Sequence, residues 1–170
     1  MSTRQSLLMV IFFAISLLAF EKEDTNLSTL LEKIGYQVVQ LERSGMGQFI
    51  VTIELDNGIK IKVIVDTGSS KTLFDSTFMK ENGYILRDAN LKLFTGSGEQ
   101  KVKSTSVKNL KIGNANTGKA TVYCTDMSYI QKGFLESGDE KVHALLGADF
   151  LTVYSALVDV KNAKLYLKVN

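Results

Sequence analysis

The sequence contains very little cysteine and histidine: among 170 residues there is one cysteine, Cys124, and one histidine, His143. A single cysteine excludes an intrachain disulfide, so the hydrophobic core must stabilise the fold. His143 has no second histidine or cysteine near it in the sequence to complete a metal site. It is also the only base available to a Cys/His peptidase, so Cys124 fits a small buried side chain better than a nucleophile. We therefore expect neither a metal nor an organic cofactor.

An excess of charge of either sign is also absent. The chain has 20 Lys and Arg against 18 Asp and Glu, and its basic residues are scattered. No basic stripe could follow a phosphate backbone, so we expect no nucleic-acid partner. With 45% hydrophobic residues, a chain of 170 residues fits one globular domain with a sizeable core.

The sequence has no apolar run of the roughly 20 residues that a helix needs to cross a bilayer. Its main apolar run, residues 7–20, is interrupted by Ser16, preceded by Arg4 and followed by a charged stretch from Glu21. This order of basic, apolar and polar regions is typical of an export signal. We therefore predict that residues 1–20 are a signal peptide and that the protein is exported, to the periplasm or the cell exterior. The alternative is a short uncleaved anchor, which would associate residues 7–20 with the membrane.

The pattern of the remaining chain is mainly that of a β protein. Residues 21–47 are predicted to form a short helix, over 25–35, and a leading strand. Further strands alternate apolar and polar residues, and turn signals rich in Gly and Asn separate them. We also predict a helix over residues 72–82, with Asp75 and Glu81 on its solvated face, and a short helix over 148–154 before a terminal hairpin.

The most informative segment is a hairpin followed by an acidic turn. Asp56-Asn57-Gly58 predicts the hairpin turn, because Asn and Gly accept positive φ. The next strand, residues 59–65, ends directly at Asp66, and strict alternation places this side chain on the face opposite Val63 and Val65. The carboxylate is therefore expected to emerge at the end of a strand, followed by Thr67, Gly68 and Ser69.

Three further motifs follow Asp66-Thr67-Gly68 in order: FTGSGE over residues 94–99, LKIG over 110–113, and ALLGADFL over 144–151. Together these residues resemble the retropepsin-like aspartic peptidases, and most of all the short bacterial single-domain members. The resemblance covers residues 48–167. It implies a retropepsin-like domain over 48–170, a closed β-barrel half equivalent to a single acid-protease lobe, with one or two short helices and preceded by the signal or anchor helix.

The resemblance also implies an activity and a set of site residues. Such peptidases hydrolyse peptide bonds with activated water and need two carboxyl groups that share one proton. The sequence has one Asp-Thr-Gly and no Asp-Ser-Gly, so the resemblance predicts a homodimer in which each chain contributes Asp66 to one site that cleaves an extended peptide or protein. Thr67 would brace the loop across the two-fold axis, Gly68 would allow close approach of the backbone, and Ser69 would donate a hydrogen bond to the carboxylate. The resemblance gives the flap as Thr95, Gly96, Ser97 and Gly98, and the psi-loop as Leu146 and Gly147.

One departure and several alternatives accompany this interpretation. Ala148 stands where retroviral enzymes have an arginine that pairs across the dimer, so the dimer is expected to be weak. One alternative keeps the fold without catalysis, as a retropepsin-like domain that binds peptides or mediates dimerisation. In others, Asp66-Thr67-Gly68 is only a polar turn, or with Lys71 a phosphate-binding turn. Asp149 is predicted to be a helix cap or dimer contact, and His143 is given no role.

Overall fold

The computed structural model describes residues 27–95 and 98–169. The chain divides into two compact units, residues 1–30 and residues 31–170, and only Leu27–Leu30 of the first unit are described. The predicted signal peptide or anchor therefore lies outside the described residues, and it stays a prediction. In the described part of the chain, no helix has the length and apolar content that crossing a membrane requires.

The described residues form a mainly β structure with four short α-helices. The helices are α1 (Leu27–Lys33), α2 (Ser76–Glu81), α3 (Ser128–Glu136) and α4 (Ala148–Val153). The strands are β1 (Tyr36–Gln40), β2 (Glu42–Arg43), β3 (Phe49–Glu54), β4 (Lys60–Val65), β5 (Leu73–Asp75), β6 (Arg87–Thr95), β7 (Gly98–Ile112), β8 (Ala115–Thr125), β9 (Val142–Leu146), β10 (Leu157–Asp159) and β11 (Lys164–Lys168). A single 3-10 turn, Asp56–Gly58, connects β3 to β4 among these residues.

The strands form two sheets. One has three antiparallel strands in the order β1-β11-β10, and the other has eight in the order β2-β3-β4-β9-β5-β8-β7-β6, with β3 also pairing β7. The predicted hairpin around Asp56 is confirmed, because β3 pairs with β4 and Gly58 has a φ of +76°. In the larger sheet β4 runs parallel to β9, with Val65 opposite Leu146. This pairing brings the end of β4 beside the start of the loop that leads into α4.

The core lies on both faces of the larger sheet. Ile61 and Val63 of β4 are buried in the main cluster, while Ile64 belongs to a second cluster with Phe134 of α3 and Leu145 of β9. The predicted alternation of β4 is thus confirmed. Burying apolar surface contributes about 25 cal/mol per Å², so each of these fully buried side chains contributes roughly 1.5–3 kcal/mol.

The predicted helix over residues 72–82 is partly wrong. Its first residues form the short strand β5, which pairs in parallel with β8 and antiparallel with β9, and the helix begins only at Ser76. Asp75 was expected on a solvated face but is only 3% exposed. Its carboxylate accepts hydrogen bonds from the N–H groups of Phe78 and Met127, at 2.8 and 3.2 Å. Asp75 therefore caps α2, and capping requires it to lie before the helix.

Helix α3 was not predicted, so the expected one or two short helices are too few. Met127, Ile130 and Phe134 have helical spacing, and Met127 and Phe134 are buried in the second cluster, against which Ile130 packs. The helix follows β8 and precedes β9. It therefore lies in the chain segment between the predicted flap and the psi-loop.

Candidate active site

Asp66 lies in the loop that leaves β4, at the point where β4 meets β9. Its N–H donates to the carbonyl oxygen of Leu146 at 3.0 Å, which continues the β4–β9 pairing by one residue. The Asp66 side chain is half-buried, whereas Thr67 and Gly68 at the tip of the loop are exposed. The predicted exit of the carboxylate at a strand end therefore agrees with the structure.

The loop folds back on the Asp66 carboxylate. The N–H of Gly68 donates to Oδ1 of Asp66 at 2.9 Å, and the N–H of Ser69 donates to the Asp66 carbonyl at 3.3 Å. A Cβ added at Gly68 would lie 3.2 Å from the same Oδ1, closer than most such contacts. The absence of a side chain at position 68 therefore allows the backbone to approach and orient the carboxylate.

The predicted hydrogen bond from Ser69 to the carboxylate is wrong. The Ser69 hydroxyl donates instead to the carbonyl oxygen of Lys71, two residues further along the chain, at 2.8 Å. A hydroxyl has one proton, so this local bond leaves none for Asp66. Ser69 shapes the loop through its backbone, because its carbonyl accepts the Ala148 N–H at 2.7 Å.

Gly147 is the closest contact between the Asp66 loop and the β9–α4 junction. A Cβ at this position would lie 2.4 Å from the carbonyl carbon of Lys71, 2.5 Å from its oxygen and 2.9 Å from the carbonyl oxygen of Ser69. Its φ of −90° is open to any residue, so the requirement for glycine is purely steric. The two segments can pack at this distance only because position 147 has no side chain.

A second connection joins the loop to α4 through Thr72 and Asp149. Oδ1 of Asp149 accepts both the N–H and the hydroxyl of Thr72, each at 2.8 Å, and the Thr72 hydroxyl in turn accepts the N–H of Gly147 at 3.0 Å. Lys71 lies 3.9 Å from the other carboxylate oxygen. The expected helix cap is wrong in detail: the N-cap is Gly147, and Asp149 connects α4 to the exit of the loop. Thr72 was not singled out from the sequence, because its partner is 77 residues away.

The predicted flap corresponds to the end of the β6–β7 hairpin. Thr95 pairs with Gly98, and Gly98 has a φ of +105°, a conformation that favours glycine. Lys92 and Glu99, on the two strands of the hairpin, form an ion pair at 2.6 Å. Gly96 and Ser97 lie outside the described residues.

A cavity of about 570 Å³ opens beside Asp66. Its volume lies within the roughly 300–1,000 Å³ range of ligand pockets. One side is formed by the ends of β4 and β9, and another by α3. Met46, in the turn before β3, also lines the cavity, so its walls come from several separate segments of the chain. Sequence reasoning missed the α3 residues, although the helical spacing of Met127, Ile130 and Phe134 could have indicated them.

The structure gives neither Cys124 nor His143 a role in the site. Burial, with a smaller effect of Asp75, raises the pKa of Cys124 to about 12, so the thiol stays protonated at neutral pH. His143 packs its ring against Phe78, with 4.2 Å between the ring centroids. In residues 27–95 and 98–169, no group of three or more His, Cys, Asp or Glu side chains is arranged to hold a metal ion.

Comparison with known proteins assigns the chain to a family. Residues 51–150, more than half of the chain, match the sequence profile of the family described as aspartyl protease, and the chain belongs to this family. Its structure is similar to that of a retropepsin-like aspartic protease from Rickettsia conorii, at 20% identity and a TM-score of 0.54, covering 79% of this chain and 91% of that one. This similarity shows a retropepsin-like fold. EIAV protease complexed with the inhibitor HBY-793 matches at 16% identity and a TM-score of 0.49, covering 66% of this chain and 92% of that one. No curated protein sequence matches the chain.

Proposed function

We propose that this protein is an aspartic endopeptidase that works as a homodimer, with Asp66 of each copy contributing to one site. The observation on which the proposal depends is the place of Asp66: a half-buried carboxylate, next to a cavity, in a loop whose tip is exposed. An exposed tip allows a second copy to approach, and a two-fold axis through the tip would bring the two carboxylates together.

The chemistry follows from two carboxyl groups at short distance. Both cannot stay ionised, so the pair keeps one proton. The ionised Asp66 takes a proton from a water molecule, which attacks the peptide carbonyl, while the protonated Asp66 of the second copy donates a hydrogen bond to the carbonyl oxygen. No covalent intermediate with the protein forms.

The rest of the site supports this chemistry by positioning. The N–H of Gly68 and the β9–α4 contacts at Gly147 and Thr72 fix the orientation of the Asp66 loop before a substrate arrives. In the proposal, the β6–β7 hairpin closes over an extended peptide and offers main-chain hydrogen bonds to it. Thr67 would brace the two loops across the axis.

Two parts of the proposal concern assembly and location. The dimer would lack an ion pair from position 148, since this residue is alanine, and it would form only at higher concentration. If residues 1–20 are a signal peptide that is removed on export, the protein would act outside the cytoplasm. Retention of residues 7–20 as a membrane anchor would instead raise the local concentration of chains and favour the dimer.

The test is cleavage of a peptide library by the full chain at acid and neutral pH, with and without pepstatin. The Asp66→Asn variant should lose at least about 100-fold in kcat, because proton transfer by a positioned carboxyl contributes roughly 10²–10⁴-fold. Glu32→Gln, which changes an exposed carboxylate on α1, is the matched control and should keep full activity. Peptide binding by both the wild type and Asp66→Asn without turnover by either would favour a non-catalytic peptide-binding domain.

A further inference from the structure

Gly133, in the middle of α3, has no structural reason to be glycine within this chain. Glycine in a helix interior is less favourable than alanine, because it loses more conformational freedom on folding. Gly133 does not adopt a positive φ, and a Cβ added to it would meet no atom within 4 Å apart from its two chain neighbours and the backbone of its own helix. In both respects it is the opposite of Gly147, where a side chain would collide with backbone. The local cost at position 133 is therefore offset by nothing in its immediate surroundings.

The space in front of Gly133 is the cavity that contains Asp66. Gly133 lines this cavity together with Ile130 and Phe134 of the same helix, and the opposite side includes Ile64 and Leu145 of β4 and β9. These neighbours are apolar. Any side chain at position 133 would extend into the cavity and reduce its volume.

The charged residues of α3 that line the cavity do not indicate a charged ligand. Two charged residues of α3, Lys132 and Glu136, also line it, but both are largely exposed and they pair with each other at 3.7 Å. Together they contribute no net charge, and the one other charged residue in the described lining is Asp66. The apolar side chains of the lining therefore favour an apolar occupant. Such an occupant would lie beside the carboxylate, at the position of a side chain next to the bond to be cleaved.

We infer that α3 is the specificity-determining wall of the site, and that the missing side chain at Gly133 leaves room for a large apolar side chain of a peptide, next to the scissile bond. This inference rests on the proposed function. In it, α3, and Gly133 in particular, determines whether the pocket accepts large or small side chains of the substrate. Burial of such a side chain against Ile64, Phe134 and Leu145 would supply the binding energy.

The first test compares two peptides that differ only in the residue before the scissile bond, phenylalanine or alanine. The wild type should prefer the phenylalanine peptide in kcat/KM by at least about ten-fold, since apolar pockets discriminate by roughly 10–200-fold. Gly133→Leu, which introduces a better helix former, should remove most of that preference by lowering kcat/KM for the phenylalanine peptide much more than for the alanine peptide. Leu135→Ala is the control on the same helix, because Leu135 is 56% exposed and does not line the cavity. An unchanged preference in Gly133→Leu would overturn the inference.

A second test separates the pocket from the chemistry. Binding of the same two peptides, labelled with a fluorophore, is measured by anisotropy with Asp66→Asn and with Asp66→Asn/Gly133→Leu. The phenylalanine peptide should bind Asp66→Asn at least about five-fold more tightly than the alanine peptide, and the double variant should lose this difference. If the wild type cleaves neither peptide but this binding pattern is observed, the peptidase proposal fails and the pocket stands. Equal binding of both peptides to Asp66→Asn, or no binding, would refute the pocket.

A third measurement tests whether position 133 faces open space. Gly133→Ala should unfold at a higher temperature than the wild type, because it favours the helix and its Cβ meets no atom. A lower unfolding temperature would mean that position 133 packs against the protein rather than facing the cavity, and it would overturn the inference.

Discussion

Replacing Gly147 by alanine tests whether the β9–α4 junction packs against the Asp66 loop as closely as the structure indicates. The added Cβ would lie 2.4 and 2.5 Å from the carbonyl carbon and oxygen of Lys71. Both are backbone atoms, so the overlap can be relieved only by moving one segment away from the other. Overpacking of this kind costs about 1–3 kcal/mol of the free energy of unfolding. Each kcal/mol lowers Tm by roughly 2–4 °C in a chain of this size.

The assay is thermal and urea unfolding followed by circular dichroism, with Gly133→Ala as the matched control. The two substitutions add the same methyl group but should have opposite signs: Gly147→Ala lowers stability, and Gly133→Ala raises it by about 0.5–1 kcal/mol. Gly147→Ala should also reduce peptide cleavage beyond the loss of folded protein, since the displaced loop contains Asp66. Equal stability of Gly147→Ala and the wild type would refute the close packing.

Two further predictions concern groups around the loop. Asp149→Ala should lower the free energy of unfolding by about 1–3 kcal/mol, because the N–H and hydroxyl of Thr72 lose their acceptor, while Asp149→Asn keeps a carbonyl oxygen and should lose less than half as much in the same urea experiment. Burial and the nearby Lys141 lower the pKa of His143, against the opposing effect of two carboxylates. The stability associated with neutral His143 is therefore present above its unfolded-state pKa of 6.5 and is lost as the pH falls through the lower folded-state pKa. His143→Phe should consequently lose less stability than the wild type between about pH 8 and about pH 5, and equal losses would contradict this.

Local patterns predicted the segment that leads to the site. The turn residues of Asp56-Asn57-Gly58 and the strict alternation of β4 were sufficient to place the β3–β4 hairpin and the exit of Asp66 at a strand end. Both features depend on contacts between near neighbours in the chain, which a sequence displays directly.

The predictions for Ser69 and for the start of the helix over residues 72–82 were wrong because these residues can make alternative contacts. The sequence alone does not show which of the alternatives is more stable. Ser69 could donate to Asp66 or to a backbone carbonyl, and the local acceptor at Lys71 is the one it uses. Residues 73–75 belong to the predicted helix over 72–82, but pairing with β8 and β9 places them in the sheet. Asp75 is buried as a consequence, because its carboxylate caps the helix that follows.

Helix α3 was missed for a related reason. Its interior contains Gly133, which weakens the local helical signal, while burial of Met127 and Phe134 with residues of β4 and β9 stabilises the helix as a whole. The hydrogen bonds between Thr72 and Asp149 were likewise not predicted, because the two residues are 77 positions apart in the chain. Tertiary pairing of this range cannot be deduced from spacing in one sequence.

The central claim is that two copies of Asp66 form one catalytic site, and mixing the wild type with Asp66→Asn tests it most directly. The two proteins are allowed to exchange chains at constant total concentration, and cleavage of a single peptide is measured against the fraction of wild type. If both carboxylates are required, activity falls with the square of that fraction, so an equal mixture keeps about one quarter of the wild-type rate. Activity that falls in simple proportion, with about half remaining in the equal mixture, would show that each chain acts alone and would contradict the shared site.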